Sequence, residues 1–217
     1  LVEPYVNALL KEIELCGQLI RERGLKLRAG YIGGGTPTAI PCRDLDRILE
    51  KAQKEFADKG YDVTYCQADI TVLSECEKVV KFCEDTYGKV DILVNNAACW
   101  VFSSLVDITE EEYDQVMNLN LKGTYFMCKY GARSMTEHHV PGKIVNIASE
   151  ASEACDVAGV ACLTTYNASK GGVRIMTRGM AKELYQYGID INCVSPGAMS
   201  TFGNTDEQKG IEKYAEN

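Results

Sequence analysis

The stretch Gly142-Lys-Ile-Val-Asn-Ile-Ala148 is a short, mostly apolar run that predicts a buried β-strand. Similar runs lie before it at 90–94 and after it at 189–194, and helical patterns at about 109–136 and 163–187 separate the three runs. Apolar strands that are joined by helical crossovers form a parallel sheet with helices on both faces. The sequence therefore predicts an α/β fold of this kind.

The pattern extends towards the N-terminus. Tyr61–Gln67 is rich in β-branched and aromatic residues and predicts a further strand, and an amphipathic helix follows it and ends at Gly88. Thr109 and Glu112 form a capping box that opens the helix at 109–136. Ligands of parallel sheets bind beyond the carboxyl ends of the strands. Those ends carry Asp69, Asn95, Ser149 and Pro196-Gly197, and this agreement points to a site there.

Tyr166 and Lys170 lie four residues apart in the helix predicted at 163–187. This spacing puts both side chains on one helical face. A nearby ammonium favours phenolate, so we expect Lys170 to lower the pKa of Tyr166. A phenol tuned in this way can act as a general acid–base on an alcohol or a carbonyl. A Tyr-x-x-x-Lys pair that stands alone is more often just one face of an amphipathic helix.

Composition limits the possible functions. The 217 residues are 46% hydrophobic and 25% charged, which fits one or two globular domains, and no apolar run is long enough to span a membrane. A net charge of −8 argues against nucleic acid or an anionic membrane as a partner. The ten cysteines form no Cys-x-x-Cys pair, and the two histidines are adjacent, so we expect no metal site. Reduced thiols indicate a cytoplasmic protein.

Residues from about 51 to 217 resemble the short-chain dehydrogenase/reductase family, whose fold is Rossmann-like. The motifs that carry the resemblance stand in the family's order, and they are Asp91-Ile-Leu-Val-Asn-Asn-Ala-Ala98, Asn118-Leu-Asn-Leu-Lys-Gly123, Lys143-Ile-Val-Asn-Ile-Ala-Ser149, Tyr166-Asn-Ala-Ser-Lys170 and Ser195-Pro-Gly-Ala-Met-Ser-Thr201. The resemblance implies a catalytic set of Asn120, Ser149, Tyr166 and Lys170. It also implies that NAD or NADP contacts Asp69, Asn95, Ala97, Tyr166, Lys170, Pro196, Gly197 and Thr201.

In these implied roles Tyr166 exchanges a proton with the substrate oxygen, and Ser149 holds that oxygen. Lys170 lowers the Tyr166 pKa and binds the nicotinamide ribose, while Asn120 supports a water-linked proton path to Lys170. Asp69 contacts the adenine, Asn95 the adenosine ribose region and Thr201 the carboxamide.

Three assignments keep an alternative. Ser152 competes with Ser149, because the gap from Ser149 to Tyr166 is longer than the family usually shows. Asn120 could be a solvated helix residue. Asp69 could be a helix N-terminal acid that the helix dipole favours.

The N-terminal unit is atypical. The family's Thr-Gly-x-x-x-Gly-x-Gly loop and its second strand are missing, and Gly33-Gly-Gly-Thr-Pro-Thr38 stands where a glycine loop is expected. Residues 4–49 instead resemble oxygen-independent coproporphyrinogen oxidase-like radical S-adenosylmethionine enzymes, without the cluster-binding Cys-x-x-x-Cys-x-x-Cys. We therefore expect residues 1–50 to be a fragment of such an enzyme, residues 51–217 to be the dehydrogenase-like domain, and the C-terminus to be truncated within the lid, leaving an unpaired sheet edge.

These observations predict an NAD(P)-dependent oxidoreductase that interconverts a small alcohol and its carbonyl. The alternative is a non-catalytic chimeric remnant that lacks a working pyrophosphate site. The family's assembly would make the protein a homo-oligomer, a dimer or a tetramer, through helices 109–136 and 163–187. Its other partner would be the small-molecule substrate.

Overall fold

The computed structural model describes residues 10–11, 14–15, 42–58, 60, 62–153 and 163–197. The chain divides into two compact units, residues 1–67 and 68–217. In the first unit, helix α1 spans Cys42–Ala57. The loop Gly33–Thr38 lies outside the described residues. The prediction that the similarity changes family near residue 50 stays a prediction.

The predicted strand at Tyr61–Gln67 is wrong. Residues 62–69 belong to neither a strand nor a helix. β-branched and aromatic residues favour extended backbone, but a strand forms only where a neighbouring strand takes up its backbone hydrogen bonds. The composition of this segment was therefore insufficient evidence for a place in the sheet.

The second unit alternates helices and strands. Its elements in chain order are α2 (Leu73–Tyr87), β1 (Ile92–Asn95), α3 (Glu110–Met117), a π-helical segment (Asn118–Gly123), α4 (Thr124–Glu137), β2 (Lys143–Ile147), a 3₁₀ turn (Glu150–Ser152), α5 (Thr164–Leu184), a second 3₁₀ turn (Tyr185–Tyr187) and β3 (Asp190–Val194). The capping box at Thr109 is present, and Gly88 and Gly188 end their helices with positive φ angles of 84° and 68°. These elements confirm the predicted helices and the three apolar strands.

The three strands form a parallel sheet in the order β1-β2-β3. Leu93, Ile144 and Ile191 form one row across the sheet, and Asn95, Asn146 and Cys193 form the next row on the same face. This face is the buried one, since Ile144 and Asn146 are at most 1% exposed. Its partners are residues of α2, α4 and α5, which join Ile144 and Ile191 in one hydrophobic core. The prediction of a Rossmann-like α/β fold is confirmed.

The helix predicted at 109–136 is interrupted by a feature that the sequence did not indicate. Residues 118–123 are π-helical and connect α3 to α4. Within this segment Gly123 leaves no room for a side chain, because a Cβ there would lie 2.9 Å from the carbonyl oxygen of Ile70. π-Helical turns inside α-helices are frequent at functional sites. Here the turn carries Asn120.

Among the described residues, no helix combines the length and the apolar character needed to cross a membrane. Six cysteines in the described part of the chain are free thiols, namely Cys66, Cys76, Cys83, Cys99, Cys128 and Cys193.

Candidate active site

The carboxyl ends of β2 and β3 meet at one edge of the sheet, where two backbone hydrogen bonds hold the following loops together. The Ala148 N–H donates to the Val194 carbonyl at 2.8 Å, and the Glu150 N–H donates to the Pro196 carbonyl at 2.9 Å. These bonds bring Ser149 and the Pro196-Gly197 loop to the same edge. Gly197 is also close to a charge, because a Cβ there would lie 2.7 Å from Oε2 of Glu150.

The Tyr166 phenol lies at this edge on the first turn of α5. The Ser149 hydroxyl interacts with this phenol and acts to lower its pKa. The Ser149 oxygen accepts the Ala151 N–H at 3.2 Å, which leaves the hydroxyl hydrogen free to donate. Ser152, the alternative to Ser149, has a buried hydroxyl without a hydrogen-bond partner in the described part of the chain. The geometry therefore pairs Tyr166 with Ser149.

The expected lowering of the Tyr166 pKa by Lys170 is wrong for this structure. Burial raises the pKa of Tyr166, and the interaction with the Ser149 hydroxyl opposes that rise. The Lys170 ammonium lies 5.8 Å from the centroid of the Tyr166 ring, over the ring face. It donates instead to the Ile147 carbonyl, 2.7 Å away. Desolvation of the phenol consequently outweighs the ammonium.

Lys170 is a buried cation. Only 3% of its surface is exposed, and burial lowers its pKa to about 8, while the thiols of Cys193 and Cys99 act in the opposite direction. Its ammonium has N–H donors left over beyond the one given to Ile147. A buried ammonium with unused donors at a strand end can bind neighbouring hydroxyl groups of a ligand.

Asn120 is fully buried, so the alternative of a solvated helix residue is wrong. Its Oδ1 accepts the Cys99 N–H at 2.8 Å, and its Nδ2 donates to the Cys99 carbonyl at 2.8 Å and to the Ser169 hydroxyl at 3.0 Å. These three bonds use the whole side-chain amide. Asn120 therefore clamps the chain after β1 to the helix that carries Tyr166. The proton path through this residue stays a prediction.

Replacing Asn120 with alanine is expected to lower the free energy of unfolding by about 3 kcal/mol or more, because the buried N–H and carbonyl of Cys99 lose their partners. Urea unfolding followed by circular dichroism measures this change. Asn118→Ala is the matched control, since Asn118 lies in the same π-helical segment and is only half-buried. Equal, small losses in both variants would contradict the clamp.

The structure places two further residues beside Tyr166, of which sequence reasoning missed Ser169 and interpreted Trp100 as a possible wall of an apolar pocket. Ser169 is fully buried and donates to the Tyr166 carbonyl at 2.7 Å while it accepts from Asn120. The Trp100 ring stands edge-on to the Tyr166 ring, with centroids 6.4 Å apart and planes at 77°. The position of Ser169 inside a predicted helix was a usable signal, because a serine there often donates to a backbone carbonyl one turn earlier. The contact of Trp100 depends on the fold and has no local signal.

Asn95 lies away from the ligand edge, in a polar network beneath the sheet. Its Nδ2 donates to Asn146 Oδ1 at 2.9 Å and to Cys128 Sγ at 3.2 Å. The Asn146 amide continues to the Thr177 hydroxyl at 2.9 Å. Burial raises the pKa of Cys128 to about 11, so this thiol stays protonated at neutral pH. The network links β1 and β2 to α4 and α5, and its side chains face the helices.

The remaining predicted cofactor residues are placed differently. Ala97 is half-buried just after β1. The exposed carboxylate of Asp69 accepts the Thr71 N–H at 2.9 Å and the Thr71 hydroxyl at 2.7 Å, ahead of α2. This contact supports the alternative that Asp69 is an acid near the start of a helix, although Asp69 and Thr71 both precede the first residue of α2, Leu73. Thr201 lies outside the described residues.

Within the part of the chain that the structure describes, no group of three or more His, Cys, Asp or Glu side chains could hold a metal ion. The described edge instead combines a serine hydroxyl, a phenol and a buried ammonium. Such a set can hold an oxygen atom of a substrate and exchange a proton with it.

Comparison with known proteins gives the same family. The family model described as short chain dehydrogenase matches residues 24–212. This match begins before the Gly33–Thr38 loop, and the resemblance of residues 4–49 to radical S-adenosylmethionine enzymes stays a prediction.

Among curated proteins, the chain is 34% identical to a diacetyl reductase [(S)-acetoin forming] of Staphylococcus epidermidis over 75% of this chain and 62% of that protein. It is 34% identical to galactitol 2-dehydrogenase of Agrobacterium fabrum over 81% of this chain and 66% of that protein. The chain thus spans about two thirds or less of the length of these relatives.

Among solved structures, NAD+-bound xylitol dehydrogenase matches with a TM-score of 0.67 and 28% identity, over 77% of this chain and 63% of that chain. A short chain dehydrogenase from Mycobacterium smegmatis matches with a TM-score of 0.65 and 29% identity, over 71% of this chain and 63% of that chain. The family model covers most of the sequence, and these structures share the observed sheet and helices. The chain belongs to the short-chain dehydrogenase family.

Proposed function

We propose that this chain is an NAD(P)-dependent oxidoreductase that interconverts a small alcohol and its carbonyl, with Tyr166 as the general acid–base. One observation carries the proposal: the Tyr166 phenol interacts with the Ser149 hydroxyl, and the buried Lys170 ammonium lies over its ring face. Relatives named diacetyl reductase and galactitol 2-dehydrogenase support the substrate class of small alcohols and carbonyls.

In the reduction direction, the Ser149 hydroxyl would donate a hydrogen bond to the substrate carbonyl oxygen and orient it towards Tyr166. The Tyr166 phenol would then donate its proton to that oxygen, and in oxidation the phenolate would take the proton back. Burial raises the pKa of Tyr166, so the phenol retains the proton that reduction requires it to donate. Asn120 and Ser169 would hold the first turn of α5 in register with β1.

The family implies a nicotinamide dinucleotide, and the donor set at the strand ends fits one. Lys170 would donate to ribose hydroxyls, since its ammonium has unused donors at this edge. Ala97 and the Pro196-Gly197 loop would border the nucleotide, together with Thr201 and Asp69. When bound, the nicotinamide supplies the hydride. Asn95 would contribute only by holding β1, because its side chain faces the helices.

The proposal predicts saturable, micromolar binding of NADH or NADPH to the purified chain. Trp100, the single tryptophan, lies beside Tyr166, so its emission should be quenched as the reduced nicotinamide binds. Titration with each nucleotide also decides between NAD and NADP. Absence of binding to a folded sample would contradict the proposal.

The second candidate is a non-catalytic remnant of the same fold without a working pyrophosphate site. It rests on the glycine loop, since Gly33-Gly-Gly-Thr-Pro-Thr38 stands where the family has Thr-Gly-x-x-x-Gly-x-Gly. The same titration separates the two candidates, because only the catalytic protein needs to bind a dinucleotide.

The predicted dimer or tetramer through α3–α4 and α5 stays a proposal, as does the cytoplasmic location. Exposed apolar side chains on these helices support the oligomer, among them Tyr125, which is 48% exposed, and Ile175, which is 63% exposed. Sedimentation velocity of the purified chain would test it.

A further inference from the structure

Trp100 is held beside the general acid–base by the backbone before it. The Asn120 amide binds both the N–H and the carbonyl of Cys99, which is 8% exposed. The next residue, Trp100, is 47% exposed, and its ring still meets the Tyr166 ring edge-on at 6.4 Å. The indole is therefore fixed at its base and open to a ligand at its rim.

The other contacts of Tyr166 restrict where a substrate can lie. The Ser149 hydroxyl interacts with the phenol, and the Lys170 ammonium lies over one face of the ring, 5.8 Å from the ring centroid. A carbonyl oxygen that accepts hydrogen bonds from Tyr166 and Ser149 places its two substituents within a few ångström of the phenol. Because the exposed Trp100 ring contacts the Tyr166 ring, its indole is available to pack against one of these substituents.

The exposed charges around this edge are negative. Of the described residues between Ser149 and Tyr166, Glu150 and Glu153 are acidic, and none is lysine, arginine or histidine. Glu150 is exposed and directly follows Ser149, and its carboxylate faces Gly197. Arg174 is a nearby cation, but it is paired with Glu153 at 2.7 Å. A carboxylate or phosphate that lies at the rim beside Glu150 would meet repulsion there, because the Lys170 ammonium is buried beneath the rim.

We propose that Trp100 determines substrate specificity and selects neutral ketones, or the matching secondary alcohols, that carry an aromatic or bulky apolar substituent. The inference rests on the proposed oxidoreductase function. Aromatic pairs that meet edge-on or offset gain free energy beyond the area they bury. The indole rim supplies such a contact for the substituent, and Glu150 excludes anionic analogues.

The test compares two diketones that differ only by phenyl against methyl, 1-phenyl-1,2-propanedione and 2,3-butanedione, by the ratio of their kcat/KM values with NAD(P)H. The wild type should prefer the phenyl compound, and Trp100→Ala should lower the ratio about fivefold or more. Trp100→Phe, which keeps an aromatic ring, should change the ratio less than about twofold. Phe102→Ala is the matched control, because Phe102 is 66% exposed and two residues from Trp100.

Charge is tested with benzoylformate, the carboxylate analogue of the phenyl diketone. The wild type should reduce benzoylformate with a much lower kcat/KM than the phenyl diketone, and Glu150→Gln should make the difference between the two kcat/KM values smaller. Equal use of both compounds would overturn the exclusion of anions. The role of Trp100 would be overturned if Trp100→Ala left the ratio of the two kcat/KM values unchanged, or if Phe102→Ala lowered that ratio equally. Either result would leave the oxidoreductase function standing.

A binding measurement keeps the inference testable without turnover. If neither diketone is reduced although NADH binds, the proposed function fails on that evidence. Quenching of Trp100 emission by benzamide at concentrations about fivefold or more below those needed for acetamide would still support the aromatic subsite. Equal quenching by the two amides would overturn it.

Discussion

The Tyr166→Phe variant is expected to lose turnover by about 10²- to 10⁴-fold, the range that a positioned general acid–base contributes. Phenylalanine keeps the ring that meets Trp100 and Lys170 and removes only the hydroxyl that interacts with Ser149. The loss should therefore appear in kcat. Steady-state reduction of a small diketone with NAD(P)H, followed at the nicotinamide absorbance, measures it.

Two controls separate chemistry from damage to the fold. NADH binding by Tyr166→Phe should match the wild type, because the ammonium of Lys170 and its bond to Ile147 do not depend on the phenol oxygen. Tyr187→Phe removes a hydroxyl from a half-exposed tyrosine beyond the far end of α5 and should leave turnover intact. Turnover retained by Tyr166→Phe would show that another group moves the proton.

The Lys170→Met variant is expected to change the pH dependence of stability. Burial lowers the pKa of Lys170 from 10.5 to about 8, so between these values the unfolded chain binds a proton that the folded chain does not. The contribution of Lys170 to the free energy of unfolding of the wild type therefore rises as pH increases through this window. The same contribution is lost again as pH falls from 10.5 to about 8. The contribution of Lys170 should grow by about 2.5 kcal/mol from about pH 7 to pH 10.

Methionine has a similar length and no charge, so the variant lacks this term. The free energy of unfolding of Lys170→Met relative to the wild type should therefore fall by about 2.5 kcal/mol over the same pH range. Urea unfolding at several pH values measures the difference. Lys143→Met is the control, since Lys143 is exposed and paired with Asp190 at the opposite end of β2. Parallel pH curves for Lys170→Met and the wild type would contradict the burial of a charged lysine.

The same buried charge connects stability to function. Turnover of Lys170→Met should also fall, because its ammonium covers the Tyr166 ring and carries the spare donors for a ribose. If Lys170→Met is more stable than the wild type below pH 8 and is also less active, the result would show that the charge serves the active site and not stability. Holding a cation out of water is costly, so a purely structural position favours an apolar residue.

The comparison of Tyr61–Gln67 with Gly142–Ala148 shows where local patterns suffice. Both segments favour extended backbone, yet only the second lies in the sheet, where β1 and β3 pair with it on either side. Strand pairing depends on residues far along the chain, so local composition could not decide between them. Helices are different, because their hydrogen bonds are local. The predicted end of α2, the start of α3, the end of α4 and both ends of α5 agree with the structure within a few residues.

From residue 73 onward, the sequence by itself determined the order of the helices and strands and the parallel sheet. It also placed Tyr166 and Lys170 on one face of α5, since they share that face through helical spacing alone. Only the tertiary structure decided how those groups behave. Burial raised the pKa of Tyr166 although a cation lay on the same helix face, and it turned Asn120 into a clamp on Cys99. Desolvation and long-range hydrogen bonds arise from packing between distant segments, and no local pattern records them.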